Sequence, residues 1–167
     1  YLAALEARME EGVVAPRTEL ERTELDRAKR DMIRWSSNMA TNYIIDLVTG
    51  TTGDTLLDEP DLASWVERRQ WVNRYFHSLG WPETKPINVC QKLMDDDRYG
   101  REKVFAHLGG NNHNRLTTDA AARLFHAVFS GRMISAERSR SMAALFARPL
   151  EDSAFVENPL AQLKGYF

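Results

Sequence analysis

The chain has 167 residues, one domain's worth, and 43% of them are hydrophobic, enough to bury a real core. Lys and Arg (22) nearly cancel Asp and Glu (24), which leaves no general attraction to nucleic acid or to an anionic membrane surface. No apolar run is long enough to span a bilayer, and the single cysteine, Cys90, excludes an internal disulfide and a cysteine-rich metal site. His77, His107, His113 and His126 are scattered outside any His-x-x-x-His spacing, so neither a metal nor another cofactor is expected.

Residues 1–11 read as a helix, with Leu2, Leu5 and Met9 at helical spacing and Gly12 as the residue beyond its end. Pro16 lies in the connector that follows. Thr18 and Glu21 have capping-box spacing, and Thr23 offers a second cap, so a short turn and then a helix over about 24–35 is expected. Leu25, Ala28, Met32 and Ile33 would face the core. A third helix over 40–48 carries a wide apolar stripe of Tyr43, Ile44, Leu47 and Val48, and Gly50 ends it.

Pro60 opens a long helix to about Leu79, with Leu62, Trp65, Val66, Val72, Phe76 and Leu79 on one side. Arg68, Arg69 and Arg74 alternate with Trp71 and Tyr75. Basic stems covering a core helix explain this better than nucleic-acid binding. Residues 81–116 show little periodicity and contain Pro82, Pro86, Gly100, Gly109 and Gly110, so they read as one long functional loop. Asp95-Asp96-Asp97 lacks the spacing of a calcium loop and reads as solvated or as a helix cap. Thr117 or Thr118 caps a helix to about Ser130 whose core face is Ala121, Leu124, Phe125, Val128 and Phe129. Ser135 caps another to about Ala147, with Met142, Leu145 and Phe146 inward, and 159–164 form a last turn of helix. No run qualifies as a strand.

One stretch stands out chemically. Between the first two long helices lies Arg34-Trp35-Ser36-Ser37-Asn38-Met39-Ala40-Thr41-Asn42, a Ser-x-Asn with a second asparagine one turn later. A hydroxyl and two carboxamides at a helix junction can donate and accept hydrogen bonds into a cleft. Ordinary capping uses the same residue types.

The run Met32 to Ile45 resembles the Ser-Asp-Asn region of class A β-lactamases and the wider penicillin-recognising serine hydrolases. Downstream, Leu116 to Leu124 looks like the family's helix after the Ω-loop, and Gly131-Arg132-Met133-Ile134-Ser135 fits as well. The resemblance implies a mainly α chain: the helical subdomain of the β-lactamase/transpeptidase-like fold, with the α/β subdomain largely absent, residues 1–167 forming one subdomain and about 81–116 an Ω-like loop. It implies acyl transfer on a small-molecule substrate, a β-lactam or cell-wall peptide-like amide or ester, and a periplasmic or secreted location. By resemblance Ser36 relays a proton to the leaving nitrogen and Asn38 binds the substrate's acyl side chain. Asn42 ties its helix to the Ω-loop. Ser37 replaces the usual Asp as structural support. Glu102 stands at the interval before Thr117 where a deacylation base is expected, without the usual motif around it.

No serine here has a lysine three residues later, and Lys164-Gly165-Tyr166 is not the Lys-Thr-Gly strand. The family's nucleophile is therefore expected before Tyr1 and its strand after Phe167, in the missing α/β subdomain that would be this chain's intramolecular partner. The chain by itself should then be inactive. A D,D-peptidase or esterase relative is the alternative within the class, and a non-catalytic helical interaction module is the alternative outside it.

Overall fold

The structure is a computed structural model and describes residues 1–93 and 98–147. Eight α-helices occur among them: α1 (Leu2–Glu10), α2 (Glu19–Arg34), α3 (Asn38–Thr49), α4 (Glu59–Arg69), α5 (Trp71–Ser78), α6 (Gly100–Ala106), α7 (Thr118–Phe129) and α8 (Ala136–Phe146). Backbone pairing between extended segments is limited, among the described residues, to an isolated antiparallel bridge of Asn88 with Arg115.

Local chemistry sets most boundaries. Thr18 accepts from the Glu21 N–H while the Glu21 carboxylate returns to the Thr18 N–H, so the first of the two candidate caps is used and α2 begins at Glu19, a turn earlier than periodicity suggests. Thr117 caps α7 and Ser135 caps α8 through the N–H three residues on. Gly50 closes α3 in the left-handed conformation, which costs a residue without Cβ little.

α1 is buried along Leu2–Ala7 and sits in the middle of the bundle, against α3 and α8. α2 lies along α3, and α7 along α8. The main core joins Leu5, Ile44, Val48, Val72, Met133 and Met142. Each such fully buried side chain contributes about 1.5–3 kcal/mol. A smaller core of Trp65, Cys90 and Phe105 lies under α4 and α6, the two rings edge to face at 5.3 Å. Glu6 is 3% exposed and is held by Lys29 at 3.4 Å and by Arg138 at 2.6 Å, which ties α1 to α2 and α8.

Three features differ from the sequence reading. The long helix over 60–79 is two helices, broken at Gln70 with no Pro or Gly to announce it. The stretch 81–116 contains α6 and two short 3-10 turns. Tyr43, Phe125 and Phe129, placed by periodicity on core faces, are 42%, 45% and 60% exposed. Asp95-Asp96-Asp97, the last-turn expectation at 159–164 and Lys164-Gly165-Tyr166 fall outside the described residues.

Candidate functional site

The α2–α3 junction is built on Ser36. It takes a positive φ of 52°, uncommon for a residue with a Cβ, and it is exposed. This turn lets the Ser37 N–H reach back to the Asp31 carbonyl at 3.1 Å and sends the chain directly into α3. Ser37 is committed to structure. Its hydroxyl accepts the Ala40 N–H at 3.2 Å, and its carbonyl accepts the Thr41 hydroxyl at 2.8 Å. Asn38 is the first residue of α3 and is half-buried. Trp35 and Met39, on either side, are 66% and 78% exposed. A strained serine at an exposed junction is a reason to look for function there.

Asn42 lies one turn further along α3. Its carboxamide donates to the Leu93 carbonyl at 2.6 Å and accepts the Leu93 N–H at 2.8 Å. A side-chain amide thus mimics a strand edge and fixes one residue of the long connection to α3 across 51 positions of sequence.

Asp46, one turn beyond Asn42, continues the same polar face. One carboxylate oxygen accepts from Arg69 at 3.3 Å and the other from Lys92 at 2.5 Å. Burial raises the Asp46 pKa, opposed by Lys92, Arg69 and Arg101. Arg69 is fully buried at the end of α4. Its guanidinium grips Glu102 through both oxygens, at 2.8 and 3.2 Å, donates to the Thr51 hydroxyl at 2.8 Å, and lies 4.5 Å from the Trp65 ring centre. Lys92 is 4.0 Å from Glu102. Two cations and two anions therefore form one quartet between α3, α4, α6 and the long connection.

Ser36, Ser37, Asn38 and Asn42 thus share the first turns of α3. Glu102 is linked to Asp46 of α3 through Arg69 and Lys92, and Asp46 is about 12 Å along the helix axis from Asn38 at the usual helical rise. Glu102 sits on α6 and not in irregular loop, is 2% exposed, and has both oxygens occupied by Arg69. Sequence reasoning missed Asp46, Arg69 and Lys92. The signal for Asp46 was present: Asn38, Asn42 and Asp46 recur every four residues as a polar stripe on an otherwise apolar helix.

Cys90 is buried, and its thiol lies 3.1 Å from the Asn88 side-chain oxygen. Among the described residues no group of three or more His, Cys, Asp or Glu side chains is arranged to hold a metal, and no helix is long and apolar enough to cross a membrane.

The described residues thus form an all-α bundle with an exposed serine at the α2–α3 junction and a long connection bonded to α3 by Asn42. The family model of the β-lactamase enzyme family matches residues 6–158, nearly the whole chain, and the chain belongs to that family. The helical bundle is that of the family's all-α subdomain. Neither a curated protein nor a solved structure matches the chain.

Proposed function

We propose that residues 1–167 form a single helical subdomain, with 81–116 as its Ω-like loop, and supply the Ser-x-Asn wall of a serine hydrolase that acylates on a β-lactam or a related amide or ester. The observation that carries this reading is the junction itself: Ser36 held exposed in a left-handed turn, Asn38 following, and Asn42 one turn on, clamping Leu93 of the long connection.

In the proposed scheme a serine oxygen outside this chain attacks the carbonyl and the ring C–N bond breaks. The Ser36 hydroxyl, able to donate and accept at once, passes a proton to the departing nitrogen. The Asn38 carboxamide orients the acyl side chain, and Ser37 and Asn42 hold the geometry. Water then cleaves the ester. We assign Glu102 to the support of the site and not to that water. A general base must reach its proton within hydrogen-bond distance, and Glu102 is 2% exposed with both oxygens accepting from Arg69. Membership of the family supports a periplasmic or secreted protein that takes a small molecule, and not nucleic acid, as its ligand.

Steady-state hydrolysis of a chromogenic cephalosporin by the full-length protein tests the scheme. Ser36→Ala is expected to slow acylation about 100-fold, the usual range for a lost proton-transfer group, with the fold intact by circular dichroism. Asn38→Ala is expected to raise KM as well as lower kcat. Wild-type rates in a folded Ser36→Ala variant would remove Ser36 from the chemistry.

A further inference from the structure

Residues 90–93 are held against the bundle at several points. Asn114 accepts the N–H groups of Cys90 and Gln91 at 3.0 and 2.9 Å and donates to the Gln91 carbonyl at 3.0 Å. Asn42 takes both backbone groups of Leu93. Gln91 contributes no grip through its side chain, since its carboxamide is buried and neither polar atom has a partner. The Tyr1 hydroxyl donates to the Gln91 carbonyl at 2.9 Å, and Lys92 supplies a further hold. Its ammonium, on a side chain 16% exposed, reaches Asp46 at 2.5 Å, and Asp46 is itself fixed by the fully buried Arg69.

We propose that Asp46 and Lys92 are positioning residues: together with Asn42 they seat residues 92 and 93 on the polar face of α3, one to two turns beyond Asn38, so that the long connection is set against this helix by the buried charge quartet. Asn42 and Asp46 are one turn apart and grip adjacent residues, so the segment is fixed in register as well as in place. The quartet is charge-balanced. Loss of the Lys92 charge leaves Asp46 and Glu102 sharing Arg69, in a setting where burial already disfavours a second unpaired anion. The catalytic consequence rests on the function proposed above, but the seat itself does not.

The test follows single-amide hydrogen exchange in the full-length protein, together with β-lactam turnover. In Lys92→Met the Leu93 amide is expected to exchange about tenfold faster, while the Asn88 amide, bonded to the Arg115 carbonyl, keeps its rate. Lys92→Arg, which preserves the pairing, should restore Leu93 to within about twofold of wild type. Asp46→Asn, which keeps the size but not the charge, should repeat the Lys92→Met result. In turnover, Lys92→Met is expected to lower kcat about tenfold with KM within about threefold, and Lys92→Arg to rescue it. Unchanged exchange at Leu93, or equal acceleration at Leu93 and Asn88, would overturn the seat, as would failure of Lys92→Arg to rescue. A wild-type protein that neither binds nor consumes a β-lactam would instead refute the proposed function, and exchange at Leu93 would still decide the seat.

Discussion

Arg69→Met is the sharpest test of how this fold is held together. The wild-type guanidinium is fully buried and serves Glu102, Asp46 and Thr51 at once. Methionine fills similar space and packs on Trp65, so the packing loss is small and the change is mainly electrostatic. Glu102, 2% exposed, would then have Lys92 at 4.0 Å as its nearest cation. Breaking one side of a buried pair costs about 3–5 kcal/mol because the other charge stays buried without compensation. Replacing both members by apolar residues is often neutral or better. Arg69→Met alone should therefore lose about 3–5 kcal/mol in urea unfolding, and Arg69→Met with Glu102→Leu should recover at least about 2 kcal/mol of it. The Asp46–Lys92 pair survives in the double variant and keeps the remaining charges balanced. A loss of less than about 1 kcal/mol in the single variant, or a double variant no more stable than the single, would refute an electrostatic role for this pair.

Other consequences follow from particular contacts. A Cβ on Gly100 would lie 1.7 Å from the Asp54 carbonyl oxygen, at a φ of 53°, so Gly100→Ala must move α6 away from 52–55 and break the Arg101 N–H bond to Asp54; a loss of about 3 kcal/mol in chemical denaturation is expected. Glu6→Leu leaves Lys29 and Arg138 without their buried anion, and a drop of about 2 kcal/mol is expected, largely absent in a Glu10→Leu variant, whose carboxylate is half exposed. Burial pushes the Cys90 thiol up to about 11 from an ordinary 9, so its proton is held more tightly in the folded state. That contribution to stability is complete below pH 9 and is lost as the pH climbs towards 11. Wild-type stability should fall by about 1.4 kcal/mol per pH unit more steeply in that window than that of Cys90→Ala, as read from urea midpoints. The same burial should leave Cys90 inert to thiol reagents at pH 8 until the protein unfolds.

Helix ends were the most legible part of the fold, because caps are local chemistry. Thr18, Thr117, Ser135 and Gly50 each act through atoms within a few residues. The break at Gln70 was not legible, since nothing in its own sequence ends a helix and its neighbours Arg69 and Asn73 are engaged by distant partners. α6 was hidden for the same kind of reason. It starts at a left-handed Gly100 and is fixed by Arg101 bonds to residues 52 and 55, which no periodicity records. Periodicity identified an apolar face at Phe125 and Phe129 but not whether anything covers it. Within the site, the Ser-x-Asn junction was visible as a motif. The buried quartet was not, because nothing local in the sequence pairs Arg69, read as a basic stem covering its helix, with Glu102, read by resemblance as a candidate base.

Under the proposed function this chain walls a cleft in which a serine is acylated. Intact mass of the native protein before and after a reactive β-lactam tests it most directly. The account predicts a drug-sized increase, retained on a peptide outside residues 1–167 after digestion, and its loss over time as drug is consumed. A native mass of 19.1 kDa with no adduct and no drug consumed would contradict it and leave a helical module without this chemistry.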